Sequence, residues 1–204
     1  MDRPIPTVQG LSRLYQILSA ETKDPENEIL RLFKTFRCSR NPDVETFLHK
    51  NALEFELRHR SRTYLWLYPD SGKLVVAGYI SLALDVVELP DSLSKTLKKK
   101  LSKGYSPPKP YLPAYLIGQL GRNDRTPKDL LPGEKLLQYA FGILKKAQSL
   151  VGNRLVIVDV IDGHTDEAKG LVSWYESFGF RKLDMIETEE GKVLLRLYTL
   201  LKEE

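Results

Sequence analysis

The segment Lys128-Asp129-Leu130-Leu131-Pro132-Gly133 leads into Leu136, Leu137, Ala140, Ile143, Leu144, Ala147, Leu150 and Val151, whose spacing predicts one apolar face of a helix. If that helix starts at Pro132 and Gly133, Leu131 falls at the N-cap and cannot accept a hydrogen bond from the first turn. Open amides beside the small Gly133, with Arg122, Arg125 and Lys128 just upstream, make an anion site that a pyrophosphate would fit. A plainer reading stays open: a small shift of the boundary makes Asp129 the cap and leaves the basic residues as solvated loop positions. Asp124, Asp159, Asp85 and Glu56 are candidate general bases, although carboxylates at strand ends and on helices are commonly solvated or capping. Cys38 has no partner base in view and reads as a small buried residue. Neither it nor His49, His59 and His164 approaches a zinc-ligand spacing, so no metal is expected.

The elements that must position these groups follow from periodicity and punctuation. Leu11 to Leu18 reads as helix or strand. Asn41-Pro42-Asp43 supplies a cap, a first-turn proline and an acid, and the apolar spacing beyond it predicts one helix from Pro42 to about Arg60. Strands are expected over Arg62–Tyr68 and Lys73–Val87, joined by a tight turn at Pro69-Asp70-Ser71-Gly72. A basic helix is expected from Asp91 to Lys103, with Leu93, Leu97 and Leu101 at four-residue intervals, ended by Gly104. Then come a strand over Tyr111–Gly121, the helix from Gly133, and the β-branched run Leu155–Ile161, typical of a buried parallel strand. This unit is β-α-β and should cross over right-handed. A helix from Thr165 to Phe178 closes at Gly179, and Phe180–Thr188 with Lys192–Leu201 forms a hairpin across Glu189-Glu190-Gly191. The class is α/β with a mixed sheet, strands lying on both sides of one βαβ core.

A chain of 204 residues, 42% hydrophobic and 28% charged, is expected to form one domain, 1–204, with 1–28 as an extension or first element. No apolar run reaches the ~20 residues that cross a bilayer. The start Met1 to Pro6 lacks the apolar stretch of a secretory signal, and Cys38 is the only cysteine, so a soluble cytoplasmic protein is expected. A net charge of +4 is a mild bias toward polyanions.

From Phe33 to Lys182 the order of these segments resembles the GNAT superfamily of N-acetyltransferases. Lys128 to Gly133 falls in the register of that family's acetyl-CoA loop, Gln/Arg-x-x-Gly-x-Gly/Ala, with Lys128 and Leu131 as departures. Tyr115 to Arg122 resembles the strand whose backbone pairs with the pantetheine arm, and Trp174-Tyr175-Glu176-Ser177-Phe178-Gly179-Phe180 resembles the signature Phe-Tyr-x-x-x-Gly-Phe. The resemblance implies a GNAT fold with an acetyl-CoA-binding core over 111–180. It implies acetyl-CoA as cosubstrate, held by Leu120, Gly121, Arg122, Lys128, Asp129, Leu131, Gly133, Glu134 and Lys135, and Tyr175 as general acid. Ala168 replaces an asparagine that often contacts the cofactor. Beside this stands core packing, because Ala168, Leu171, Val172, Tyr175 and Phe178 share one helical face.

Phe36-Arg37-Cys38, Asn41 to Leu48 and Gly78-Tyr79-Ile80 resemble the branch that contains tRNA-acetylating toxins. That implies an aminoacyl-tRNA amine as acceptor, with Lys95, Lys98, Lys99, Lys100, Lys103 and Lys109 as phosphate contacts or as a solvated helix face. Expected partners are acetyl-CoA and an amine acceptor, with tRNA and a second copy of the chain as further candidates. A GNAT shell that only binds or regulates is the non-enzymatic alternative.

Overall fold

The computed structural model describes residues 5–70, 72–103, 105, 107–161, 166–188 and 191–202. Met1 to Pro4, Ser71, Gly104, His164, Thr165, the turn residues Glu189 and Glu190, and the side chain of Ala168, all named in the expectations above, lie outside it. The order is β1 (Thr7–Gly10), α1 (Leu11–Glu21), α2 (Pro25–Phe33), α3 (Pro42–Lys50), α4 (Ala52–Leu57), β2 (Arg62–Asp70), β3 (Lys73–Glu88), α5 (Lys95–Leu101), β4 (Tyr111–Arg122), α6 (Gly133–Val151), β5 (Leu155–Ile161), α7 (Asp166–Ser177), β6 (Arg181–Glu187) and β7 (Val193–Leu200). The sheet has seven strands in the order β1-β2-β3-β4-β5-β7-β6. β4 and β5 run parallel, while β1–β2, β2–β3, β5–β7 and β6–β7 are antiparallel. The mixed sheet around a βαβ core is borne out. Not foreseen is that β7, not β6, lies beside β5.

Two expected helices change. The helix predicted from Pro42 to Arg60 breaks at Asn51, which ends α3 and precedes α4 at φ −116° and ψ −32°. Buried Val44, Leu48 and Ala52 keep one apolar face running through the break, so periodicity cannot detect it. The basic helix begins at Lys95 rather than Asp91, because Ser94 Oγ accepts the Leu97 amide at 3.2 Å and caps it there. No helix among the described residues is long and apolar enough to cross a membrane.

The chain divides into two compact units. The first contains 1–83 and 118–143. Its core gathers Leu11, Ile29, Phe33, Phe36, Val44, Leu48, Leu65, Val76 and Tyr79, each large side chain contributing about 1.5–3 kcal/mol on burial. Asn41 caps α3 by accepting the Asp43 amide at 3.2 Å, with Pro42 in the first turn, as its sequence dictates. Tyr79 lies edge-on to Phe36 and donates its hydroxyl to the Val44 carbonyl at 2.6 Å, tying β3 to the start of α3. The second unit contains 84–117 and 144–204, with Val87, Leu89, Leu101, Leu112, Ala114, Leu155, Ile157, Leu183 and Tyr198 at its centre. Leu93 and Leu97 pack on that cluster, which explains why the leucine spacing extends beyond α5 itself.

Candidate active site

In the first unit β4 ends at Arg122, and the next residue fastens the chain. Asn123 is buried. Its amide donates to the Ala77 carbonyl at 2.8 Å, and Nδ2 donates to the carbonyls of Thr35 and Val76 at 2.8 and 2.7 Å. Its Oδ1 accepts from the Arg125 amide at 3.1 Å, so both ends of the side-chain amide are used. Ala77 is the extra residue of a β-bulge, where Trp66 pairs with Gly78 and Leu67 with Val76. Asp124 donates its amide to Arg37 at 2.8 Å and accepts from the Ser39 amide at 2.7 Å. Arg122 Nη1 donates to the Thr126 carbonyl, closing the turn.

The rest of the loop is shaped by Pro127, whose carbonyl accepts from the amides of Leu130 and Leu131 at 3.2 and 3.3 Å. α6 begins at Gly133, so Leu131 stands before the N-cap position rather than in it, and the boundary does not move back to Asp129. The Lys135 amide is bonded to the Pro132 carbonyl at 3.0 Å. Among the described residues no backbone carbonyl accepts from the amides of Gly133 and Glu134, the first N–H groups of this helix. Of the predicted cofactor residues, Lys128, Asp129, Glu134 and Lys135 are exposed, Leu120, Arg122 and Gly133 half-buried, and Gly121 and Leu131 buried. All lie along one continuous stretch of the first unit. Gly121 must be glycine, since a Cβ there would lie 2.5 Å from Val44 Cγ1 and 3.2 Å from Phe36 Cζ.

The parallel ladder between β4 and β5 consists of Tyr115–Val156 and Leu116–Ile157. β4 continues to Arg122 and β5 to Ile161. From Gly118 β4 belongs to the first unit and leads directly into the loop and the start of α6. A ligand ending in phosphates would meet amides at a helix start of this kind.

In the second unit Tyr175 is 4% exposed. The end of α7 explains its place. Gly179 takes φ 86°, its amide donates to the Glu176 carbonyl at 2.9 Å, and the Phe180 amide donates to the Tyr175 carbonyl at 3.3 Å. This is a Schellman C-cap, and its usual apolar closure is the Tyr175–Phe180 ring contact, centroids 5.3 Å apart. The Tyr-x-x-x-Gly-Phe spacing thus has a local structural cause that accounts for the ring. The hydroxyl takes no part in that cap. Burial pushes the phenol well above its ordinary value, so it stays protonated at neutral pH.

The four carboxylates considered as bases all have structural employment. Glu56, buried, accepts from the Thr63 amide at 2.7 Å, Arg62 at 3.1 Å and the Ser12 hydroxyl. Asp124 holds Ser39, and Arg196 binds both Asp159 and Asp85. Cys38 gives its amide to Glu45 at 2.9 Å, and burial raises its thiol, the opposite of an activated nucleophile. Sequence reasoning missed Asn123, and it named Gly78 only within a resemblance, not for the room it leaves. The signal for Gly78 was present, because a glycine inside a strand marks a bulge or a close backbone approach.

No family model and no curated protein matches the chain. Solved structures do. A tyrosine-to-phenylalanine mutant of KacT superposes with a TM-score of 0.64 at 18% identity, over 97% of this chain and 95% of that one. AtaT complexed with acetyl-methionyl-tRNAfMet gives 0.56 at 20% identity, over 80% and 85% of the two chains. AtaTR bound with acetyl-CoA gives 0.57 at 15%, over 96% and 93%. At these identities the likeness establishes a shared fold, the GNAT fold.

Proposed function

We propose that this GNAT-fold chain is an N-acetyltransferase, a single domain of residues 1–204 that passes the acetyl group of acetyl-CoA directly to a primary amine. The observation that carries the reading is the end of β4 running into a loop fastened by Asn123 and on into the start of α6, where no backbone carbonyl accepts from the Gly133 and Glu134 amides among the described residues. The backbone of Leu120, Gly121 and Arg122 would pair with the pantetheine arm. The Gly133 and Glu134 amides would take the pyrophosphate, with Lys128 and Lys135 adding positive charge. The departure at Leu131 narrows that set of donors, because its amide already bonds within the loop.

The reaction needs no covalent enzyme intermediate. The acceptor nitrogen attacks the thioester carbonyl, the C–S bond breaks, and the departing thiolate takes the proton of Tyr175. The acceptor's proton leaves to a water or base. A buried, fully protonated phenol suits the donor role.

For the acceptor we favour the α-amine of an aminoacyl-tRNA. AtaT has been solved with acetyl-methionyl-tRNAfMet, and this chain carries an exposed basic face on α5. Lys95, Lys99 and Lys100 are exposed there, whereas Lys98 is half-buried and paired with Asp91 at 3.2 Å. The deciding experiment incubates the protein with labelled acetyl-CoA and charged or uncharged tRNA. Label should enter charged tRNA alone. Replacing Lys95, Lys99 and Lys100 with glutamine should weaken tRNA use by about tenfold or more at moderate salt while acetyl-CoA affinity holds. Transfer to free amines but never to charged tRNA would leave the acetyltransferase standing and remove this acceptor. A protein that binds acetyl-CoA and transfers to nothing would favour the binding-module alternative.

A further inference from the structure

We propose that Gly78 and Leu131 form a keyed contact that sets the position of the acetyl-CoA loop: Leu131 holds the loop down and Gly78 makes the room. The proposal rests on the acetyl-CoA reading above. Loops lie on the surface, yet Leu131 is 1% exposed between the exposed Asp129 and the half-buried Pro132. Its Cδ2 occupies the space where Gly78 lacks a side chain, 2.8 Å from an ideal Cβ at that position. The same Cβ would lie 2.9 Å from the Gly121 carbonyl oxygen and 3.5 Å from Arg122 Cα. Gly78 does not adopt the left-handed conformation, so space alone requires glycine there.

The same three residues of β3 therefore seat both ends of the loop. At its start, Asn123 bonds to the carbonyls of Val76 and Ala77. At its end, Leu131 packs on Gly78, two residues before the amide of Gly133. A loop that offers few free amides has to place them accurately, and here a packed side chain does so where a glycine would leave the backbone free. Gly78 and Leu131 are positioning residues: neither side chain is asked to touch the cofactor.

The test is a double-mutant cycle read by titration of the full chain with acetyl-CoA, with circular dichroism confirming the fold. Gly78→Ala should weaken acetyl-CoA binding by about tenfold or more, and raise KM for acetyl-CoA more than it lowers kcat. In a Leu131→Ala background, where the contact is already gone, the same substitution should cost at least about threefold less than in the unaltered chain, the remaining cost coming from the Gly121 carbonyl oxygen that the added Cβ also meets. Equal costs in both backgrounds, or unchanged affinity in folded Gly78→Ala, would overturn the keyed contact. Should Gly78→Ala fail to fold, Leu131 variants decide. Leu131→Ala should bind about tenfold more weakly, while Leu131→Met, of similar volume, stays within about threefold, and equal affinity of both with the unaltered chain overturns the proposal. If the unaltered chain itself binds no acetyl-CoA, the cofactor reading falls and takes this one with it; if it binds and the cycle is additive, only the contact falls.

Discussion

Replacing Tyr175 with phenylalanine should lower kcat by about 10²-fold or more while acetyl-CoA affinity stays within about threefold, because positioned proton donors typically contribute 10²–10⁴. The substitution keeps the ring, and the ring is what packs on Phe180 and closes the Schellman cap. Stability should therefore scarcely change, which separates the two roles open to this residue. Were Tyr175 only a core aromatic, the phenylalanine variant would turn over normally. The pH profile adds a second check. An acid works in its protonated form, and burial moves this phenol upward, so the loss of activity from its deprotonation lies above the ordinary tyrosine value of ~10. Turnover should hold or rise between pH 7 and about 9.5 as the acceptor amine loses its proton. A falling limb near pH 8 that disappears in the phenylalanine variant would contradict the assignment of this buried phenol.

Arg196→Met should lower the unfolding free energy by about 2–4 kcal/mol, the largest stability effect expected here. Arg196 on β7 stands opposite Asp159 on β5 and grips it through Nε and Nη2, both at 2.7 Å. Nη2 also reaches Asp85 on β3 at 3.1 Å. The side chains are 13%, 17% and 33% exposed for Arg196, Asp159 and Asp85, which discounts the loss below that of a fully buried network. The hydrogen bond with Asp159, more than any other influence, raises the affinity of the guanidinium for its proton. Without the arginine two carboxylates lie near each other with no counter-charge. Adding Asp159→Asn to Arg196→Met should therefore restore part of the loss. A change below about 0.5 kcal/mol on chemical denaturation would show that solvent already screens the trio.

How much of this was legible beforehand varied by element for physical reasons. β5, Leu155–Ile161, has the bounds its sequence predicts, because a β-branched run closed by Gly152 and Asn153, both left-handed, admits few alternatives. The start of α6 was legible to within a residue from Pro132 and Gly133. Other features leave no local trace. Glu56 reads as a solvated carboxylate, yet it is buried because Ser12, Arg62 and the Thr63 amide converge on it from elsewhere in the chain. Leu131 reads as a defective glycine position in a cofactor loop, and only the fold brings Gly78 opposite it. The Tyr175 spacing was recognisable as a signature, whereas its cause, a C-cap that fixes the ring, required the backbone of Gly179.

On the proposed function, acetyl-CoA should lie along the end of β4 and reach the first turn of α6. Following the backbone amide resonances of the isotope-labelled protein during an acetyl-CoA titration tests it most directly. Saturable shifts should concentrate at Leu120, Gly121, Arg122, Gly133 and Glu134, with the α5 amides unmoved. Shifts absent at millimolar acetyl-CoA, or gathered away from the β4 end and the α6 start, would contradict it.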